Sequence, residues 1–312
     1  MAYLFKKVEQ NCVNDLVYIF KAAYGKDISS TLFEKKLNTS FAGVAYVGFI
    51  AYDSETKEPS AFYGVYPCLC DYNDQKYLVA QSGDTMTHPK HQGKGLFTSL
   101  ALKTYEYCRE NNVHLVFGFP NENSYPGFVR KLSWVHFDNM EAFVKKIKTL
   151  SWYRINRHLG INNTMHTKWV EFILRKHRSE KAFPSSCKTL DVPTIIHDKA
   201  FFEYKKDKNN YLLNIDGLSV FIKTTPDFLY IGDIEYCTEI QLKSVVKKIE
   251  KIAASLFIPH VRFQGSTGSM LHQFFSLNYT PIEIKYAVGG VSFTNIIPIE
   301  KMKFTMIDND TF

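Results

Sequence analysis

No apolar run in these 312 residues approaches the length of about 20 needed to cross a bilayer, so a membrane span is not expected. The start, Met1-Ala2-Tyr3-Leu4-Phe5-Lys6-Lys7, lacks the charged-then-apolar order of a secretory signal, and a cytoplasmic location is expected. Cysteine is sparse, with six residues at positions 12, 68, 70, 108, 187 and 237. No second Cys/His pair joins Cys68 and Cys70 at metal-ligand spacing, so the thiols read as reduced and structural, and no metal is expected. No nucleic-acid reading motif is present, which excludes that class of partner. Neither charge sign dominates strongly: 38 Lys plus Arg against 31 Asp plus Glu leave +7, a balance that favours anionic ligands without choosing among them. What is abundant is apolar material. At 45% hydrophobic and 15% aromatic residues, with 25 Phe and 19 Tyr, the chain is neither disordered nor fibrous, and it has about twice the length of one domain.

Periodicity divides the first half into two kinds of segment. Leu16, Val17, Phe20 and Ala23 recur at helical spacing, and Ser30 to Leu37 reads as a second helix. Ala45–Ala51, Ala61–Cys70 and Tyr77–Thr87 read as strands joined by polar turns, an antiparallel meander. From Leu96 the apolar residues Phe97, Leu100, Ala101, Tyr105 and Cys108 mark a helix. His114–Phe119 reads as a short buried strand, and Ser124–Trp134 as a helix with Pro126 in its first turn. Lys145 to Lys181 differs: ten Lys or Arg stand against two Glu, with His158, His166 and His177. This is either a solvated basic helix pair bridging two domains or a surface for ligand phosphates.

The pattern then restarts. Tyr211–Leu218, Val220–Thr224 and Phe228–Glu235 read as strands, Ile240–Leu256 as a helix, His260–Gln264 as a strand, Ser269–Leu277 as a helix and Ile282–Gly289 as a last strand. Gly83-Asp84, helix, His114-Leu-Val-Phe-Gly-Phe, helix, Leu132-Ser-Trp134 corresponds in order to Gly232-Asp233, helix, His260-Val-Arg-Phe-Gln-Gly, helix, Leu277-Asn-Tyr279. The expected architecture is α/β (α+β): two tandem domains, each a mixed, largely antiparallel twisted sheet flanked by helices. The boundaries read as 1–145, a basic helical connector over 146–195, and 196–312.

The chemically loaded stretch is Asp84-Thr-Met-Thr-His-Pro-Lys-His-Gln-Gly-Lys-Gly-Leu-Phe97. Glycines at 93 and 95 fall where a strand gives way to a helix, so backbone N–H groups from Gly93 to Phe97 can converge on a diphosphate, with Lys94 adding a mobile positive charge. Gln92-Gly-Lys-Gly95-Leu-Phe97 resembles the Gln/Arg-x-x-Gly-x-Gly/Ala signature of GNAT acyltransferases, with Phe97 in place of the final small residue. The resemblance covers roughly residues 10–145. A second block, Gly118-Phe-Pro-Asn-Glu-Asn-Ser-Tyr-Pro-Gly-Phe-Val-Arg-Lys-Leu-Ser-Trp134, resembles the fifth strand and following helix of that fold. With a second half that lacks the glycine signature, the whole resembles tandem-GNAT nucleotide-sugar N-acyltransferases.

The resemblance implies acyl-coenzyme A as cosubstrate. Its pantetheine arm would lie along Thr85, Met86 and Thr87, and its pyrophosphate on Gln92, Gly93, Lys94, Gly95, Leu96 and Phe97. An N–H at Thr85 or Met86 would bond the thioester oxygen as it becomes an oxyanion. A sugar ammonium must lose a proton before attack, and Asp84 is the candidate base, the alternative being a strand-end Asp. Gln81 stands where many GNAT enzymes carry a Glu. Tyr125 is the candidate acid for the leaving thiolate, or an aromatic packing the helix entrance. Asn121 and Asn123 would bond pantetheine or acceptor, or cap a helix. Cys108 reads as buried rather than as a nucleophile, and His88 and His91, flanking the loop, as histidines that touch phosphates or as ordinary surface histidines. Asp233, Glu235, Gln264 and Ser266, at corresponding strand ends of the second half, are candidates for the acceptor pocket. The implied reaction moves an acetyl or short hydroxyacyl group, such as 3-hydroxybutyryl, to a dTDP-linked amino-deoxy sugar for surface polysaccharide synthesis. The alternatives are another amine, as in an aminoglycoside or peptide, or a non-catalytic acyl-CoA-binding protein.

Overall fold

Residues 2–152 and 163–312 are described by the computed structural model. The N-terminal half contributes β1 (Tyr3–Lys7), α1 (Val13–Tyr24), α2 (Ser30–Leu37), β2 (Val47–Asp53), β3 (Pro59–Tyr72), β4 (Gln75–Thr87), α3 (Leu96–Glu110), β5 (Leu115–Gly118), α4 (Tyr125–Leu132) and β6 (Val135–Lys146). The remainder adds α5 (Asn163–Leu174), β7 (Thr194–Ile195), α6 (Lys199–Lys205), β8 (Asn210–Ile215), β9 (Leu218–Thr224), β10 (Phe228–Ile234), α7 (Glu239–Ser255), β11 (His260–Ser266), α8 (Met270–Asn278) and β12 (Thr280–Ser292). The α/β class expected from the sequence is the one observed.

These elements sort into two units, Met1–Phe137 with Ala287–Met302, and Asp138–Tyr286 with Lys303–Phe312. In unit 1, β1 to β4 form an antiparallel run in chain order, β4 pairs in parallel with β5, and Gly289–Ser292 of β12 pair antiparallel with β5. Alternation along β3 decides the two faces. Phe62 and Tyr66 point to α1 and α2, where Leu16, Ile19, Phe33 and Ile50 complete a core, while Tyr63 and Val65 point to α3 and α4, against Leu100, Ala101, Tyr105, Phe128 and Trp134. Behind β4 a buried hydrogen-bond chain ties the sheet to the helices. Ser82 Oγ donates to the Tyr63 hydroxyl at 2.9 Å, Tyr63 meets Tyr105 at 2.9 Å, and Trp134 Nε1 donates to Tyr105 at 2.8 Å.

In unit 2, Met140–Lys146 of β6 pair antiparallel with β11, followed by β10 in parallel and then β9 and β8 antiparallel. Each unit therefore takes a strand from the other half of the sequence. α7 buries Leu242, Val245, Val246, Ile249 and Ala253 and begins with a capping box between Thr238 and Gln241. The β8–β9 turn is Asp216-Gly217, both at positive φ (56° and 85°), a two-residue hairpin turn. The first strand thus ends at Ile215 rather than at Leu218 as the apolar run implied. Both β4 and β10 carry a register shift next to a Gly-Asp pair: Gly83-Asp84 in one, Gly232-Asp233 in the other. Among the described residues no helix is long and apolar enough to cross a membrane.

Candidate active site

Unit 1 is opened in two places that follow from its sheet. The parallel pairing of β4 with β5 is short: Ala80 faces Val116 and Gln81 faces Phe117. Past Gln81 the β5 side of β4 has no ladder partner among the described residues, which opens it to an extended amide chain. The second opening is a bulge. Phe62 faces Met86 and Gly64 faces Gly83, so Asp84 and Thr85 together oppose Tyr63. Asp84 takes φ +49°, a left-handed conformation uncommon for a non-glycine residue and concentrated at functional sites.

The bulge carries a cluster that no local pattern announces. Asp84 Oδ2 receives both the Lys36 ammonium, from the end of α2, and the Tyr66 hydroxyl, from β3. The Lys36 Nζ also stands 5.0 Å above the Tyr66 ring. The Thr85 carbonyl accepts the Tyr24 hydroxyl, from α1, at 3.0 Å. Lys36, Tyr66 and Tyr24 lie 48, 18 and 61 residues from their partners, beyond the reach of any spacing rule. Both donors to Asp84 fall on Oδ2. Met86 points its side chain into the α1/α2 core, and Thr87 faces Ala61 in the ladder.

Downstream, Gly93 and Gly95 take φ of +74° and +75°, and Gly95 is the N-cap of α3 without any side-chain cap. A Cβ at either would meet nothing within 4 Å, so glycine is required there by conformation. The first N–H groups of α3 have no partner inside the helix, and the helix dipole adds positive potential at the same point. Gln92 and Lys94 are exposed on this loop, and Leu96 is buried. Phe97, the residue that departs from the signature, turns into the core, 6.0 Å from the Tyr63 ring and 5.2 Å from Phe128, and packs under Gly127. Its bulk leaves the N-terminal donors uncovered.

Other expected site residues behave differently. His88 and His91 are buried, not surface histidines. His88 Nδ1 accepts the Lys90 N–H at 3.2 Å, and His91 Nδ1 bonds the Tyr3 hydroxyl at 2.9 Å. Burial, with the charges of Lys94 and His88, pushes the His91 imidazole below its usual range. Asn121 closes a turn ahead of α4, its Oδ1 accepting the N–H of Asn123 at 3.1 Å and of Ser124 at 3.0 Å, while the helix N-cap is Ser124 without a side-chain cap. Tyr125 opens α4 half-buried, its ring edge on His136 at 5.9 Å. Burial pushes the Cys108 thiol up to about 12, which keeps it neutral and unreactive.

In unit 2, Asp233 and Ser266 are fully buried and bonded within the fold. Asp233 accepts the Ser186 N–H at 3.1 Å and its own neighbour Ile234 N–H at 2.8 Å, and Ser266 Oγ accepts the Phe304 N–H at 2.9 Å. Gln264 is buried beside Arg262, and Glu235 accepts the Ser219 N–H and pairs with Lys181 at 2.9 Å. The basic stretch is partly neutralised in place: Lys145 pairs with Glu250 at 2.8 Å and Arg178 with Glu171. His166 is buried and bonds the Leu256 carbonyl, while Arg154, Arg157 and His158 lie outside the described residues. Among the described residues no three His, Cys, Asp or Glu side chains are grouped to hold a metal ion.

Residues 6–137 match the family described as acetyltransferase (GNAT) domain. No curated protein matches the sequence. Among solved structures, a GCN5-related N-acetyltransferase from Kribbella flavida superposes with TM-score 0.62 at 10% identity, over 93% of this chain and 70% of that one. A probable N-acyltransferase from Enterococcus faecalis gives 0.60 at 13%, over 94% and 73%. Saccharomyces cerevisiae N-myristoyltransferase with bound myristoyl-CoA gives 0.56 at 10%, over 92% and 82%. At these identities the structural likeness speaks for the fold alone. Residues 6–137 thus match the GNAT acetyltransferase domain, and the chain has the fold of these solved structures.

Proposed function

We propose that the chain transfers an acetyl or short hydroxyacyl group from CoA to the amino group of a nucleotide-linked amino-deoxy sugar, in the cytoplasm and on a route to surface polysaccharide. The observation that carries the reading is the β4 bulge, with Asp84 at positive φ beside a strand edge left open by β5 and upstream of the uncapped α3 N-terminus. The pyrophosphate rests on the N–H groups from Gly93 to Phe97 beside Gln92 and Lys94, and pantetheine lies along Thr85 to Thr87, with Asn121 and Asn123 at its far side. Asp84 takes a proton from the sugar ammonium through Oδ1, the oxygen that neither Lys36 nor Tyr66 occupies. The freed amine forms the new C–N bond at the thioester carbonyl, whose oxygen is held by an N–H at Thr85 or Met86. The C–S bond breaks, Tyr125 supplies the proton that the thiolate takes, and the second proton that the nitrogen sheds on becoming an amide restores the Tyr125 hydroxyl. Unit 2 is a diverged copy of the fold without its own coenzyme loop. Burial and internal bonding give Asp233, Gln264 and Ser266 a part in holding unit 2 together, and Glu235 is engaged there by Ser219 and Lys181.

A thiol-release assay tests the acceptor. Several acyl-CoAs are offered with dTDP- and UDP-amino sugars, free aminoglycosides and peptide amines. Release that requires a nucleotide-linked amino sugar is the expected result. Turnover with aminoglycosides and none with any nucleotide sugar rejects the proposed acceptor and leaves the acyltransferase intact.

A further inference from the structure

Unit 2 contains a cavity of about 290 Å³, lined by the Arg178–Glu180 segment, by one face of α6 and its exit, and by β8 and β9. Lys199, Phe202, Glu203 and Lys206 fall three to four residues apart, so all four meet the cavity from the same side. The floor is rigid. Phe202 is buried, with its ring 5.1 Å from Phe183 and 5.4 Å from Phe221. The opposite rim is fixed by backbone bonds, the Ser179 N–H donating to the Leu212 carbonyl at 2.9 Å, which holds Arg178 with its guanidinium 5.3 Å above the Tyr211 ring.

The charge is arranged in two kinds. Arg178, Lys199 and Lys206 bring three cations to the cavity, and Glu180 and Glu203 bring two carboxylates. Arg178 also serves Glu171, and Lys206 stands 3.4 Å from Glu203, while Lys199 has no carboxylate within ion-pair reach among the described residues. Three cations around one space of this size suit a dianion with several acceptor oxygens better than a single carboxylate. The carboxylates, which only accept hydrogen bonds at neutral pH, suit hydroxyl donors on the same molecule. The apolar floor suits the carbon face of a ring. From this we infer that the cavity binds a small phosphate ester of a hydroxylated ring, its phosphate on Lys199 and Arg178 and its hydroxyls on Glu180 and Glu203. The site lies wholly within unit 2, and the assignment is independent of which amine unit 1 acylates.

Isothermal titration of the full chain tests it with four probes: a hexose 6-phosphate, a nucleoside 5′-monophosphate, the matching unphosphorylated sugar, and inorganic phosphate. Binding of one ester, with affinity at least about tenfold above inorganic phosphate and above the free sugar, is the expected result; which ester wins assigns the source. Lys199→Glu should weaken that ester by at least about tenfold, and Lys199→Arg should largely keep it. Lys199 is exposed, so neither change threatens the fold. An absence of heat with both esters at millimolar concentration, equal affinity for ester and inorganic phosphate, or unchanged binding in Lys199→Glu each overturns the assignment.

Discussion

His197 offers a perturbation whose size can be worked from the structure. Its ring is completely buried in unit 2, stacked on Phe201 at 4.8 Å, with Nε2 2.7 Å from Asp308 Oδ1 and Nδ1 3.3 Å from Asp233 Oδ2, the latter off the line of a hydrogen bond. Burial alone would push the imidazole down, but the two carboxylates, Asp308 foremost, outweigh it and hold the group at about 9. A folded-state value raised above the ordinary 6.5 means that protonation favours the native state. The contribution is complete below 6.5, shrinks as pH rises, and is gone above about 9. The shift corresponds to about 3 kcal/mol, or a fall on the order of 10 °C in the melting temperature of a unit of this size. Melting curves at half-unit steps from pH 6 to 10, for the wild type and His197→Gln, isolate the effect. The variant starts lower, because it strands two buried carboxylates, by about 3–5 kcal/mol, and it lacks the wild-type decline between pH 6.5 and 9. Parallel pH profiles for the two proteins would refute the reasoning.

Asp84→Asn keeps the backbone, because Asn tolerates positive φ as Asp does. It should reduce turnover by about 100-fold or more while coenzyme affinity, read by calorimetry, stays within about twofold; near-normal turnover would remove Asp84 as the base. Gly290→Ala should destabilise unit 1 by about 1–3 kcal/mol in urea titration, since the new Cβ would stand 2.5 Å from the Val116 carbonyl oxygen and 2.8 Å from Ile299. A stability equal to wild type would contradict the close approach of β12 to β5.

Local signals were legible where one element suffices to make them. The apolar stripe of α3 from Leu96 to Cys108 and that of α7 from Leu242 to Ala253 mark both helices, because helical period is written within a dozen residues. Gly93 and Gly95 announced the loop for the same reason: left-handed backbone needs glycine wherever the rest of the chain lies. The strand exchange did not show, because β6 and β12 find their sheets through partners more than a hundred residues away. β1, short and half-exposed, carries too weak an alternation to be read beside the helix that follows it. The Lys36–Asp84–Tyr66 cluster is likewise a product of folding, and so is the burial of His88 and His91. Asp233 is the instructive case. Its place at a strand end, equivalent to that of Asp84, was readable, but its engagement with Ser186 and His197 depends on loops that no alignment of the two halves contains.

The central claim is that the uncapped start of α3 receives the pyrophosphate of acyl-CoA. Calorimetric titration of acetyl-CoA onto the wild type and onto Gly95→Asp tests it directly. Aspartate, which tolerates positive φ better than other side chains, would place a carboxylate in the anion site at a residue held at φ +75°. The wild type is expected to bind one equivalent per chain with a Kd on the order of micromolar, and the variant to lose at least about 100-fold while keeping its far-UV spectrum. Equal affinity in the two proteins would place the coenzyme elsewhere and contradict the account.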